Sequence, residues 1–295
     1  MTPPKSHPSG APVCAIVAAA GSGTRLGRDM PKAFVNLGGR TLLERALDGI
    51  GASGVVDRVA VVVSEAMWGR AKKIIEDATN NALWEPLEIQ LVLGGGERAD
   101  SVRAGLQAMA KAIDGPEPTA GAIVLVHDAA RCLTPATVFR RVVEQTRAGL
   151  SSGQWAGVIP ALPVVDTIKT VDQQGFVLGT PARRTLRAVQ TPQGFGLRDL
   201  MSANEAFTRS GLAGAEATDD ASIMELAGHR VLTVAGDPRA LKITTPEDYE
   251  AALRLLDRSA QPQRRPAPPG ADDLADGTAA SQGLVRNNLA DEEKR

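Results

Sequence analysis

Short apolar runs that alternate with helix-patterned segments constrain this chain more than any other feature. The runs are 13–19 (VCAIVAA), 57–63 (DRVAVVV), 88–93 (EIQLVL), 121–126 (GAIVLV), 155–159 (WAGVI) and 231–235 (VLTVA). Each has the length of a strand and is apolar without alternation, which predicts strands buried on both faces. Between them, Leu42, Leu43, Ala46, Leu47 and Ile50 share one helical face in 41–50, and Val102, Leu106, Met109 and Ile113 share one in 99–113. Val138, Val142 and Val143 mark a third helix. This alternation predicts an α/β fold, a mainly parallel sheet with helices on both faces. Segment 163–195 departs from it. Thr- and Val-rich runs flank a polar DQQG turn, which reads as a β-hairpin, a projecting β-arm over about 163–190. An arm standing off the core has to bury its apolar face elsewhere, and a second subunit is the natural place.

The fold is expected to occupy 13–257. Residues 1–12 are Pro/Ser-rich and read as a flexible N-terminus. From Arg258 to 295 the chain is polar, Pro/Gly/Ala-rich and nearly free of large apolar residues, the composition of a disordered tail. Aromatic residues are only 3%, and 33 basic residues face 34 acidic ones. Neither a stacking platform nor a basic footprint for nucleic acid is present. The two cysteines, Cys14 and Cys132, make no framework or metal spacing, as expected in a reducing cytoplasm. No secretory h-region and no run of membrane-spanning length is seen, so neither nucleic acid nor membrane is an expected partner.

The first apolar run ends in AAAGSGTRLGRDMPKAF, residues 18–34. A strand followed by glycines places backbone N–H groups at the carboxyl edge of the sheet, where they can wrap phosphate. Gly21 and Gly23 are read as permitting backbone that side chains would forbid. The string is not a P-loop, and glycines 21, 23 and 27 are spaced one residue too widely for the dinucleotide fingerprint. Arg25 and Lys32, with Pro31 restricting the backbone before Lys32, supply the fixed positive charge that phosphoryl transfer needs. By the residues alone, a ligand-free turn with surface cations remains an open alternative.

The wider set of strings narrows the choice. After AAAGSGTRLGRDMPKAF come GGGERADSVRAGL (94–106), VHDAARCL (126–133), DTIK (166–169), TPQGF (191–195), TDDAS (218–222) and LKITTPED (241–248). In this order they resemble the 2-C-methyl-D-erythritol 4-phosphate cytidylyltransferase family over essentially 13–257. The resemblance implies a Rossmann-like fold with a projecting arm and a homodimer. It also implies Mg²⁺-dependent transfer of CMP from CTP to the polyol phosphate, whose phosphate oxygen attacks the α-phosphorus in line.

It further implies roles. Arg25, Lys32 and Lys242 match the catalytic cations. Ala18, Ala19, Ala20, Gly21 and Gly23 match the nucleotide loop; Gly95, Gly96 and Ser101 match the cytosine-reading segment. Asp128 matches a metal ligand, with a helix cap as its alternative. Arg131, Thr167, Arg183 and Thr191 match the polyol phosphate contacts, Arg184 being a rival for Arg183. Two departures stand out: Gly96 where the family is often acidic, and Cys132 where it often has proline. Asp219 and Asp220 read as an N-cap pair with a supporting or metal role left open, and TPED as a helix start capped by Thr245. Alternatives are a cytidylyltransferase for another polyol phosphate such as ribitol 5-phosphate, or a non-catalytic nucleotide binder. The tail has no histidine and is too short for a second, metal-dependent domain.

Overall fold

Val13, Ala15 and Val17 pack into one apolar cluster, and Cys14 and Ile16 into another, so the first strand is buried on both faces. The computed structural model describes residues 11–21, 26, 30–78, 81–113, 121–210 and 217–260. The strands are β1 (Val13–Ala18), β2 (Asn36–Leu37), β3 (Arg40–Thr41), β4 (Arg58–Val63), β5 (Glu88–Leu93) and β6 (Ile123–Asp128). They continue with β7 (Gly157–Pro163), β8 (Thr170–Val171), β9 (Val177–Gly179), β10 (Arg187–Val189), β11 (Gln193–Gly196) and β12 (Val231–Ala235). The helices are α1 (Leu42–Ser53), α2 (Trp68–Asp77), α3 (Arg98–Ile113), α4 (Ala136–Ser152), α5 (Leu197–Ser210), α6 (Asp220–Leu226) and α7 (Pro246–Ala260).

Among the described residues, eight strands form the main sheet. Its order is β10-β7-β11-β6-β1-β4-β5, with β12 also paired to β7. The pairs β1–β4, β1–β6, β4–β5 and β7–β12 are parallel. β11 is antiparallel to both β6 and β7, and β10 is antiparallel to β7. The chain leaves β1 toward β4 and β5, then crosses back to β6 on the other side of β1. That reversal opens a crevice at the carboxyl ends of β1 and β6, where α/β sheets bind ligands. Ala18 and Asp128 are register partners there.

The alternation recurs on neighbouring strands. Val59, Val61, Val63, Ile123 and Leu125 join α1 and α4 on one face; Ala60, Val62, Val124 and Val126 join α3, α5 and α6 on the other. A third cluster brings Val35, Leu37 and Leu42 against Cys132, Ile243 and Ala252 of α7. Helix boundaries follow local chemistry. α1 begins with a reciprocal box in which Glu44 N–H donates to Thr41 Oγ1 (3.2 Å) and Thr41 N–H donates to Glu44 Oε2 (2.7 Å). It ends at Gly54, φ 65°, a left-handed position that suits glycine.

The six strands expected from the sequence are all present. The 163–195 segment is more divided than a single hairpin. β8 and β9 form a small antiparallel pair around a turn in which Asp172 Oδ1 accepts from the N–H groups of Gln174 and Phe176. The returning chain then rejoins the main sheet as β10 and β11, because Phe195 lies opposite Gly157 of β7 and fills the space a side chain there would take. α7 extends to Ala260, beyond the expected boundary at 257. Most of the expected N-terminal segment (1–10) and the tail from 261 lie outside the described residues. The main compact unit ends at Arg258. Phe195 is fully buried. Its replacement by Ala is expected to lower unfolding free energy by about 3–5 kcal/mol, measured by urea titration.

Candidate functional site

A pocket opens at the carboxyl ends of β1 and β6. Ala18, Ala20 and Gly21 form one wall, Gly95, Gly96 and Ser101 another, and Lys32, Asp128 and Lys242 supply charge. The glycine loop after β5 is forced by crowding. A Cβ on Gly94 would lie 2.7 Å from Ser101 Oγ and 2.9 Å from the Ala20 Cβ. One on Gly95 would lie 2.3 Å from the Asp100 Cβ. Gly96 and Gly21 differ: among the described residues nothing stands within 4 Å of an added Cβ. Gly21 also has no left-handed φ, so the expectation that its backbone demands glycine gives way to another reason. A side chain there would enter the pocket.

Lys32 begins a 3-10 turn, Lys32–Phe34, after Pro31 in extended geometry (ψ 132°). Burial of Ala33 and Phe34 anchors that turn and leaves Lys32 at the pocket. Lys242 is placed by its neighbour: Ile243 is fully buried and its N–H donates to Ala130 O at 2.9 Å. Lys242 Nζ then lies 2.7 Å from Asp128 Oδ2, while Arg98 Nε lies 3.9 Å from Asp128 Oδ1. Burial pushes the Asp128 carboxyl upward, but Lys242 and Arg98 outweigh it and hold the group at about 2. Asp128 is therefore ionised across the physiological range and does not cap a helix with its side chain.

Beneath it, Thr191 Oγ1 accepts from Asp128 N–H (3.1 Å) and lies 3.0 Å from His127 Nδ1. Thr191 is buried and does not line the pocket; its hydroxyl meets Asp128 from behind. Burial brings His127 down to about 4, so the ring is neutral at pH 7 and packs edge-on against Phe139.

The remaining expected site residues are dispersed. Arg25 and Gly23 lie outside the described residues. Ala19 is buried in the apolar core, its N–H bonded to Val62 O, and does not line the pocket. Arg131 also stands off the lining. Its guanidinium donates to Ala240 O (2.8 Å) and Val189 O (3.0 Å), tying β10 to the turn before Lys242. Thr167 and Arg183 are exposed on the arm, and Arg183 donates to Val165 O at 2.7 Å. Three lining residues were not singled out from the sequence: Glu97, Arg98 and Ala130. Arg98 was within reach, since a cation opening a helix directly after a glycine loop faces whatever that loop holds. Asp219 caps α6, accepting from Ser222 N–H at 2.9 Å. Asp220 does not share that task. It is fully buried and accepts from Arg98 Nη2 at 2.7 Å.

The sequence family described as 2-C-methyl-D-erythritol 4-phosphate cytidylyltransferase matches residues 13–258. The chain belongs to that family. It is 51% identical over 249 residues to the 2-C-methyl-D-erythritol 4-phosphate cytidylyltransferase of Nocardia farcinica, covering 84% of this chain and 95% of the relative. It is 48% identical over 269 residues to that of Corynebacterium jeikeium, covering 84% and 98%. The crystal structure of the Thermus thermophilus 2-C-methyl-D-erythritol 4-phosphate cytidylyltransferase matches with a TM-score of 0.61 and 30% identity, over 83% of this chain and 99% of that one. The structure titled 4-diphosphocytidyl-2C-methyl-D-erythritol synthase from Anaerococcus prevotii matches with a TM-score of 0.68 and 28% identity, over 84% and 97%.

The residues present suit one kind of divalent-ion site. Among the described residues no three His, Cys, Asp or Glu side chains are grouped for a metal. An all-protein cage is thus not what this site offers, whereas one ionised carboxylate lining the pocket fits an Mg²⁺ whose other ligands are phosphate oxygens and water. Neither cysteine takes part. Burial pushes both Cys14 and Cys132 up to about 12. Both thiols are expected to resist an aromatic disulfide reagent at pH 8 in the folded protein and to react fully in guanidinium, read by absorbance of the released thiolate.

Proposed function

We propose that the pocket at the ends of β1 and β6 is where CTP binds and reacts. The protein transfers CMP from CTP to 2-C-methyl-D-erythritol 4-phosphate. One bond forms, from a phosphate oxygen of the acceptor to the α-phosphorus; one breaks, to the oxygen bridging the β-phosphate; pyrophosphate leaves. The observation that carries this reading is the convergence of Lys32, Lys242 and ionised Asp128 beside a crowded glycine wall at the switch point.

In this reading the backbone of Gly95 and Gly96 with Ser101 faces cytosine, and the tight approach of Gly94 to Ser101 keeps that slot small enough to exclude purines. Ala18, Ala20 and Gly21 leave room for the triphosphate. Lys32 and Arg25 neutralise charge growing on the α-phosphorus, and Lys242, the third cation, contacts the α-phosphate. Asp128 would hold Mg²⁺, which supplies charge neutralisation to the phosphates when bound. Fixing Asp128 is the work of Lys242, Arg98 and Thr191.

Arg131, Thr167 and Arg183 belong to the acceptor side, Thr167 and Arg183 reaching it from a partner's arm. The arm exposes Val165, Val171, Phe176, Val177 and Leu178, with Val165 at 76% and Phe176 at 72%. Such an apolar group calls for cover, and a second copy of the chain is its occupant here. The catalytic domain is 13–257, with the tail taking no part in catalysis. Among the described residues no helix is long and apolar enough to cross a membrane; a cytoplasmic homodimer is the setting we infer.

Three outcomes test this. Pyrophosphate release is expected only with CTP, Mg²⁺ and the erythritol phosphate together, ribitol 5-phosphate serving as control. Lys32→Ala should lower kcat by about 10²- to 10⁵-fold with an unchanged circular dichroism spectrum; near-normal turnover would refute its role. Phe176→Asp is expected to shift the sedimentation coefficient toward that of a monomer and reduce turnover of the acceptor. A monomeric variant with full activity would exclude acceptor binding across subunits.

A further inference from the structure

Asp220 lies in the first turn of α6 and is fully buried. A carboxylate removed from water needs a cation and hydrogen-bond donors. Asp220 receives both from one side chain, since Arg98 Nη2 donates to its Oδ2 at 2.7 Å. Its second oxygen, Oδ1, is buried and has no hydrogen-bond partner among the described residues. A pair built for stability alone would satisfy that oxygen or be apolar, so a half-satisfied carboxylate asks for another reason.

The surroundings suggest it. Arg98 lines the pocket, and Nε, on the same edge of its guanidinium as Nη2, is 3.9 Å from Asp128 Oδ1. The α6 turn is bolted to the sheet beside Asp128. Gln193 of β11, itself buried, donates from Nε2 to Asp219 Oδ2 (2.7 Å) and accepts from Ala221 N–H (3.2 Å). Gln193 is the register partner of Val126 on β6, the strand that ends at Asp128. The sheet therefore sets where the Asp220 carboxylate stands relative to Asp128, and Arg98 spans the two.

We propose that Asp220 is a positioning residue for the nucleotide: by holding Arg98 Nη2 it keeps the guanidinium along the pocket wall, at 3.9 Å from Asp128 rather than in direct two-point contact with it. Arginine prefers two-point contact with a carboxylate. Without the Asp220 charge, the carboxylate already ion-paired with it is Asp128, the Asp219 oxygens being taken by Gln193 and Ser222, and closing the 3.9 Å gap would cover Asp128 and draw the side chain off the wall. Nucleotide binding then suffers, while the acceptor side, built by Arg131 and the arm, does not. The proposal rests on the reading that this pocket takes CTP.

Full-length protein carrying Asp220→Asn, Arg98→Gln, Arg98→Lys or Asp220→Asn with Arg98→Gln serves as the test, with CTP·Mg²⁺ binding followed by titration calorimetry and both KM values by steady-state kinetics. Asn preserves shape and an acceptor for Arg98 but removes the charge. Asp220→Asn is expected to raise the Kd and KM for CTP by about tenfold, with the acceptor KM within about twofold, and the double variant should be no worse than Arg98→Gln alone. Arg98→Lys should recover part of the loss. An Asp220→Asn protein that only melts earlier and binds CTP normally would overturn the proposal, as would losses that multiply in the double variant or an equal rise in both KM values. Should Asp220→Asn fail to fold, Arg98→Gln decides: normal CTP affinity there refutes the relay. Wild-type protein that does not bind CTP would instead refute the functional reading.

Discussion

A carboxylate held ionised at the carboxyl end of a buried strand is the constraint around which this molecule is arranged. Asp128 follows five buried residues of β6 and stands almost out of water. An unpaired charge there would cost far more than a folded domain's net stability allows, so cations have to meet it. They come from opposite ends of the fold: Lys242 after the last strand of the sheet, and Arg98 at the start of α3. Each needs its own anchor, Ile243 on Ala130 for one and Asp220 for the other. The pocket is the space these commitments leave between the β1 and β5 loops.

The sheet explains why the charges can be so close without filling the site. β1 and β6 are parallel neighbours with Ala18 beside Asp128, and the chain beyond Ala18 turns away through small residues. Small side chains on one wall and a crowded glycine loop on the other leave width for a base and phosphates. Thr191 and His127 close the floor from below, a polar contact that orients the strand end without exposing itself to the pocket.

Parallel strands were legible because burial on both faces leaves an unbroken apolar run, which a reader can find without knowing any contact. β1, β4 and β6 illustrate this, as do the buried faces of α1, α3 and α4. Thr245 as a cap could also be anticipated, since a cap is decided within four residues: Asp248 N–H donates to Thr245 Oγ1 (3.3 Å), and Thr245 N–H donates back to Asp248 Oδ2 (2.9 Å). By contrast β10 and β11 were read as part of an arm. Their short runs carry little pattern, and only the fit of Phe195 against Gly157 of another strand draws them into the sheet.

The site divides along the same line. The amino-acid sequence by itself determined the sheet's class, the glycine loops, the charged residues that meet in the pocket and the family to which the chain belongs, because ordered short motifs and local periodicity survive in one dimension. Tertiary structure alone decided that Thr191 faces Asp128 from behind, that Arg131 is tied to backbone carbonyls, and that Asp220 is the anchor of Arg98 rather than half of a cap. Asp220 and Arg98 are 122 residues apart. Whether a carboxylate caps its own helix or pairs with a distant cation depends on which group is nearest once water has been excluded, and only packing settles that distance.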